Sequence, residues 1–286
     1  MIDTLVISGG GPTSLITLGV VEYLKKVRYI ENIKKIYATS AGTMISVIYC
    51  LEYDDNIINN YIVDRPWINT IKIELNNILN FYEKKGIFNK ELIKIIFAPL
   101  FNGLNIPLDI SLEEFYNKYP IEIHFVVFEC NSFKTTDLSY KNYPKLSVID
   151  AITMSCSIPN LFEPVIIDEC CFIDGGLFAN YPLNYLLEKE EIDIDKILGI
   201  KNEYEIKIEN INNKTNIIDY NLNLFIKLLF EKTKEKEIKI KNEIRIPAKN
   251  MTMDLFYIMI TESEKRKEWI DEGYKIGEIY VEYNKI

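Results

Sequence analysis

Two hydrophobic patterns alternate along the first fifty residues. Asp3 to Ser8 is a short apolar, β-prone run and predicts a strand. Gly9-Gly10-Gly11-Pro12 cannot continue it, and Thr13 to Lys26 then carries Leu15, Leu18, Gly19, Val21 and Leu24 at helical spacing. The unit repeats at once. Ile33 to Tyr37 reads as a strand, Ala38 to Ser40 as a sharp turn, and Ala41 to Glu52 as an apolar helix. Two β-turn-α units in succession predict an α/β fold: a mostly parallel central sheet with helices on both faces, in three α/β/α layers.

Residues 54–118 change character. Helical patterns dominate, with Trp67, Phe81, Phe88, Phe97 and Phe101 among Ile, Leu and Lys. Helices packed on the sheet and a helical cap over a site both fit this pattern. In the second case the five aromatics would form an apolar face that touches lipid. The sheet resumes at Ile121–Phe128 and Phe133–Leu138. A helix is expected over Val148–Ser157, and strands at Pro164–Ile167 and Cys170–Ile173 lead into Asp174-Gly175-Gly176. A helix near Pro182 and a strand over Lys196–Ile200 follow. Ile217–Lys241 reads as a helix ending in dense Lys and Glu, and Thr261–Tyr283 as a closing amphipathic helix. Without repeats or a clear linker, residues 1–286 are expected to form one domain, with 201–250 its most divergent stretch.

Composition narrows the classes. Of the 286 residues 48% are hydrophobic, enough for a large core. No apolar run reaches the length of a membrane span, and the start lacks the basic flank of a signal peptide, so an intracellular, cytoplasmic protein is expected. The five cysteines show no Cys-x-x-Cys spacing, which predicts free thiols and no zinc ribbon. A net charge of -9 argues against nucleic acid as a partner.

Three local patterns could carry chemistry. Ala38-Thr39-Ser40-Ala41-Gly42 lies between a strand and a helix, as a nucleophile elbow does, with small Ala38 and Gly42 flanking the turn. The following helix would aim its positive end at the Ser40 hydroxyl. Such turns are also common as plain structure. The chain has one histidine, His124, mid-strand in a β-branched and aromatic run. That position predicts a packed or hydrogen-bonded core residue rather than a base. A carboxylate would then have to take the proton. Asp174 ends an apolar strand, and Gly175-Gly176 leaves room beside it; an ordinary Asp-Gly turn fits the same residues. Finally, Gly9, Gly10 and Gly11 could present amides to an oxyanion or a phosphate. The dinucleotide fingerprint lacks its third glycine, with Ser14 in that place, and no P-loop lysine follows.

In this order the pieces resemble the patatin-like phospholipase family. The matching segments are Ser8-Gly9-Gly10-Gly11-Pro12-Thr13-Ser14, Ala38-Thr39-Ser40-Ala41-Gly42 and Asp174-Gly175-Gly176. Ala151 to Pro159, Asn180-Tyr181-Pro182 and Trp269 to Tyr274 are similar to further family segments. Two departures stand out: Thr13 and Ser14 replace the Arg-Gly of the usual Gly-Gly-Gly-x-Arg-Gly loop, and Ala38 replaces the first elbow glycine. The resemblance implies a lipid acyl hydrolase with catalytic Ser40 and Asp174. Its oxyanion hole would be made by Gly9, Gly10, Gly11 and Ala41, with Gly175 and Gly176 in support. It implies no metal or cofactor, a phospholipid or other lipid ester as substrate, and peripheral membrane contact. Two other readings remain at this point: a non-catalytic relative that binds lipid or protein, motivated by the departures, and a nucleotide-binding α/β protein.

Overall fold

The computed structural model describes residues 1–71, 81–204, 211–221, 223–224, 227, 238–248 and 252–284. The expected βα units form as β1 (Thr4–Ile7), α1 (Ser14–Lys26), β2 (Lys35–Thr39) and α2 (Ala41–Cys50). The helical stretch follows as α3 (Asp55–Asp64), α4 (Trp67–Thr70), α5 (Phe81–Lys84), α6 (Lys90–Gly103) and α7 (Leu112–Lys118). Next come β3 (Glu122–Glu129), β4 (Lys134–Leu138), α8 (Val148–Ser155), β5 (Val165–Ile167) and β6 (Cys170–Asp174). The chain continues through α9 (Gly176–Ala179), α10 (Leu183–Lys189), β7 (Ile197–Tyr204), β8 (Glu243–Ala248), α11 (Met253–Thr261) and α12 (Ser263–Tyr283).

The sheet is mixed and mostly parallel. Its strand order is β5-β6-β3-β2-β1-β7-β8, with β4 also on β3. β2, β1, β7 and β8 run parallel to β3, while β4 and β6 run against it. Alternation along β1 and β2 divides the core. Leu5, Ile7, Ile36 and Ala38 face a thick helical layer that includes α1, α2, α6, α8 and α12. Val6 and Tyr37 face α10 through Leu183, Tyr185 and Leu186.

Two expectations need correction. The aromatic run does not form a solvent-facing stripe: Trp67, Phe97 and Phe101 are buried, and Phe88 lies half-buried against Phe162. These helices pack inward because their apolar face completes the core. The helix read over 217–241 is helical at 217–221 and has ended by 238; residues 228–237 lie outside the described part. Beyond it the sheet gains β8, with Ile244, Ile246 and Ala248 turned inward and Pro247 tolerated because β8 is an edge strand. Among the described residues no helix is long and apolar enough to cross a membrane.

Candidate active site

Strand register brings Ser40 and Asp174 together. On β3, residues 122–126 pair with β2 and residues 127–129 pair with β6. β4 pairs with 125–129 and so occupies the opposite edge of β3. β2 and β6 therefore share one edge and meet head to head. Thr39 sits beside Val126 and Asp174 beside Val127, so the residue after Thr39 emerges at the Asp174 carboxyl.

That residue is Ser40, held at φ 53° and ψ -131° and 6% exposed. Positive φ is costly for a residue with a Cβ, on the order of 1–3 kcal/mol, and persists only where the surroundings enforce it. Here they do. The Ser40 amide donates to Ser155 Oγ at 2.9 Å, and Ser155 Oγ donates to the Val126 carbonyl at 2.7 Å. The Ser40 carbonyl accepts from the Thr43 hydroxyl at 2.6 Å and the Thr43 amide at 2.8 Å. Gly42 has no room for a side chain, since a Cβ would lie 2.8 Å from the Ser8 carbonyl oxygen. Ala41 opens α2 directly after the turn, where helix amides are free to face a ligand.

Asp174 is 2% exposed. Its Oδ1 accepts from the Gly176 amide at 2.7 Å, while Oδ2 is buried without a fully formed hydrogen bond. Burial pushes its pKa from 3.8 up to about 7, and the Ser40 hydroxyl and Gly176 amide only partly offset this. Ser40 is thus near enough to stabilise the carboxylate, yet the pair does not meet hydrogen-bond geometry. Loose contacts of this kind are usual in ligand-free sites. Gly175 lets β6 press against β3, since a Cβ there would lie 2.5 Å from the Val126 carbonyl oxygen.

The glycine loop lies against the same point: a Cβ on Gly9 would be 3.0 Å from Ser40 Cβ. One assignment changes here. The Gly9 amide donates to the Asn180 carbonyl at 2.9 Å, so it is not available to an oxyanion. The amides of Gly10 and Gly11 have no such bond among the described residues. The Gly9 carbonyl is held by Asn180 Nδ2 at 3.2 Å, Asn202 Nδ2 at 3.0 Å and the Tyr204 hydroxyl at 3.4 Å. Ser155, Asn202 and Tyr204 were not singled out from the sequence. The one local signal was small and polar Ser155 at the end of a mostly apolar helix.

His124 is elsewhere. It is buried on the α10 side, stacked on Tyr37 at 3.9 Å, with Nδ1 2.6 Å from Asp137 and Nε2 2.8 Å from Glu122. Burial opposes its protonation, but these two carboxylates outweigh it and raise its pKa. Glu122, His124 and Glu190 are the one group among the described residues with metal-ligand spacing. Their carboxylates already face Lys141, at 2.7 Å from Glu122, and Lys35, so the cluster balances its own charge.

A cavity of about 230 Å³ opens on Ser40. Met44, Ile45, Ile93, Phe162, Phe256 and Met259 line it, and its walls are almost wholly apolar. Such a space suits a hydrocarbon chain.

The family model for patatin-like phospholipases matches residues 5–187. The chain is 23% identical over 214 residues to Probable lipid hydrolase 463L of Invertebrate iridescent virus 6, covering 73% of this chain and 72% of that protein. It is 24% identical over 218 residues to Lysophospholipase NTE1 of Candida albicans, covering 74% of this chain but 13% of that protein. The crystal structure of VipD from Legionella pneumophila shares the fold, with a TM-score of 0.58 at 18% identity over 99% of this chain and 67% of that one. Fold and sequence agree, and the chain belongs to the patatin-like phospholipase family of lipid hydrolases.

Proposed function

We propose that the protein is a serine ester hydrolase that cleaves phospholipids or lysophospholipids through a Ser40–Asp174 dyad, at the edge of a lipid surface. One observation carries this reading: a strained, buried serine emerges beside a buried carboxyl whose pKa is raised to about 7, at the mouth of an apolar cavity. Ser40 Oγ attacks the ester carbonyl carbon while Asp174 takes the hydroxyl proton. The carbonyl oxygen becomes an oxyanion, held by the amides of Gly10 and Gly11 and the first amide of α2 at Ala41. Collapse breaks the carbon–oxygen bond, and the leaving alcohol receives the proton from Asp174. Water then attacks the acyl-enzyme and gives a proton to Asp174; collapse breaks the bond to Ser40 Oγ, which takes that proton back, and the fatty acid is released. The raised pKa suits this work, since a base near neutrality exchanges protons in both directions.

The experiment is fluorophosphonate labelling, paired with hydrolysis of a short-chain aryl ester, on wild type and Ser40→Ala. Both signals are expected in wild type and neither in the variant. Labelling that survives in Ser40→Ala assigns the nucleophile to another residue.

A further inference from the structure

Arg266, in the first turn of α12, is 3% exposed and lines the same cavity as Ser40. Its Nη1 donates to the Met259 carbonyl at 2.7 Å, and Nη2 to the Val63 carbonyl at 2.6 Å and the Arg65 carbonyl at 3.3 Å. These acceptors lie at the carboxyl ends of α11 and α3, where helix dipoles favour a cation. They account for two of the three guanidinium nitrogens. Nε is buried with no hydrogen-bond partner, and among the described residues no carboxylate lies within ion-pair distance. An unmade hydrogen bond on a buried group costs ~1–3 kcal/mol, and more when the group is charged. Asp64 acts on the guanidinium only at a distance, and in a protein of net charge -9 a buried cation with no carboxylate in contact leaves a place for an anion.

Helix packing places this cation at the Ser40 edge of the fold. α12 runs beside α1, and a Cβ on Gly273 would lie 1.9 Å from the Ile16 carbonyl oxygen. Arg266 precedes Gly273 by two turns, about 10 Å of rise, toward the end of α1 that carries Gly11 and Ser14. Both of those residues also line the cavity.

We propose that Arg266 is a ligand-binding residue: the cavity selects lipids that set an anionic oxygen, of a phosphate or a carboxylate, against this guanidinium while the chain fills the apolar lining. The position of the ester rests on the reading of Ser40 above; the anion contact does not. Neutral amphiphiles of the same chain length leave the cation unpaired and bind less tightly.

The test is binding to Ser40→Ala protein, followed by tryptophan fluorescence because Trp67 lines the cavity. The probes are dodecyl phosphate, laurate and dodecanol below their aggregation limits. At least one anion is expected to bind about tenfold or more tightly than dodecanol, a margin of ~1.4 kcal/mol. Arg266→Gln keeps two donors for the carbonyls but removes the charge; it should abolish the margin and leave dodecanol unchanged. Arg266→Lys keeps the charge and loses the planar fork, and should narrow the margin while securing the fold should the Gln variant not fold. Equal binding of the three probes, no binding of any, or a margin intact in the variants would overturn the proposal. Preference for phosphate over laurate assigns the contact to a head group, the reverse to a fatty acid. Fluorophosphonate labelling that is absent from wild type, or that survives in Ser40→Ala, with the margin preserved would remove the Ser40 reading and leave this one standing.

Discussion

Asp174→Asn should abolish hydrolysis and stabilise the protein, and the gain should depend on pH in a defined way. In the unfolded chain Asp174 ionises near 3.8; in the folded protein it ionises near about 7 because it is buried. Between those values the folded state holds a proton that the unfolded state has released, so stability falls as pH rises through this window and levels off above it. At ~1.4 kcal/mol per pH unit, the full interval costs the folded wild type about 4 kcal/mol. At pH 5 only about 2 kcal/mol of this is felt, and at pH 8.5 all of it. Asn does not ionise, and its side-chain oxygen can still accept from the Gly176 amide, the bond Asp174 makes at 2.7 Å. The advantage of the variant should therefore grow by about 2–3 kcal/mol from pH 5 to pH 8.5. Urea unfolding at the two pH values measures it, read as a shift in midpoint at constant slope. Other raised carboxyls, such as Glu22 with a pKa of about 7, are common to both proteins and cancel in the difference. A pH-independent difference, or a variant weaker than wild type at pH 8.5, would show that Asp174 is not held in its protonated form and would refute the argument.

The same shift sets the pH profile of the reaction. A base with a pKa of about 7 must be deprotonated to act, so kcat/KM should rise tenfold per unit below 7 and level off above it; a flat profile down to pH 5 would assign proton transfer elsewhere. Gly175→Ala would place a methyl 2.5 Å from the Val126 carbonyl oxygen, so β6 must separate from β3. Overpacking of this kind costs ~1–3 kcal/mol, read in a urea melt, and activity should fall as Asp174 moves away from Ser40. Ser155→Ala removes both the acceptor for the Ser40 amide and the tie to Val126. It should cost ~1–3 kcal/mol and reduce fluorophosphonate labelling, whereas labelling at the wild-type rate would show that the turn holds without Ser155.

The features that were legible in the sequence are local ones. The change from strand to helical periodicity at Gly9 and again at Ser40 marked two βα units to within a few residues, since both depend on neighbours in the chain. The end of β6 at Asp174 was visible for the same reason. The missing part lies in register. Nothing near Ser155 states that Val126 and Ser40 flank it, and nothing near Gly9 states that Asn180 takes its amide. β8 escaped notice because its six residues include Pro247, which reads as a strand breaker until the edge position is known. Arg266 looked like one more charge on an amphipathic helix, and only the meeting of α3, α11 and α12 buries it.

The departures from the family pattern become intelligible once the chain is folded. Ala38 lies within β2, in register with Ile7, and its methyl is buried in the core that faces α1 and α2. No positive φ is required there; the strained residue is Ser40, two positions on. The steric demand of the elbow falls instead on position 42, where α2 starts against the end of β1, and glycine is kept. A methyl at 38 therefore adds core contact without disturbing the turn. Thr13 and Ser14 likewise close the glycine loop locally: the Thr13 amide donates to the Gly10 carbonyl at 3.1 Å, and the Ser14 hydroxyl to the Gly11 carbonyl at 2.6 Å. Both bonds use carbonyls and so turn the loop's acceptors inward. The Gly10 and Gly11 amides, which an oxyanion would need, make no backbone hydrogen bond among the described residues.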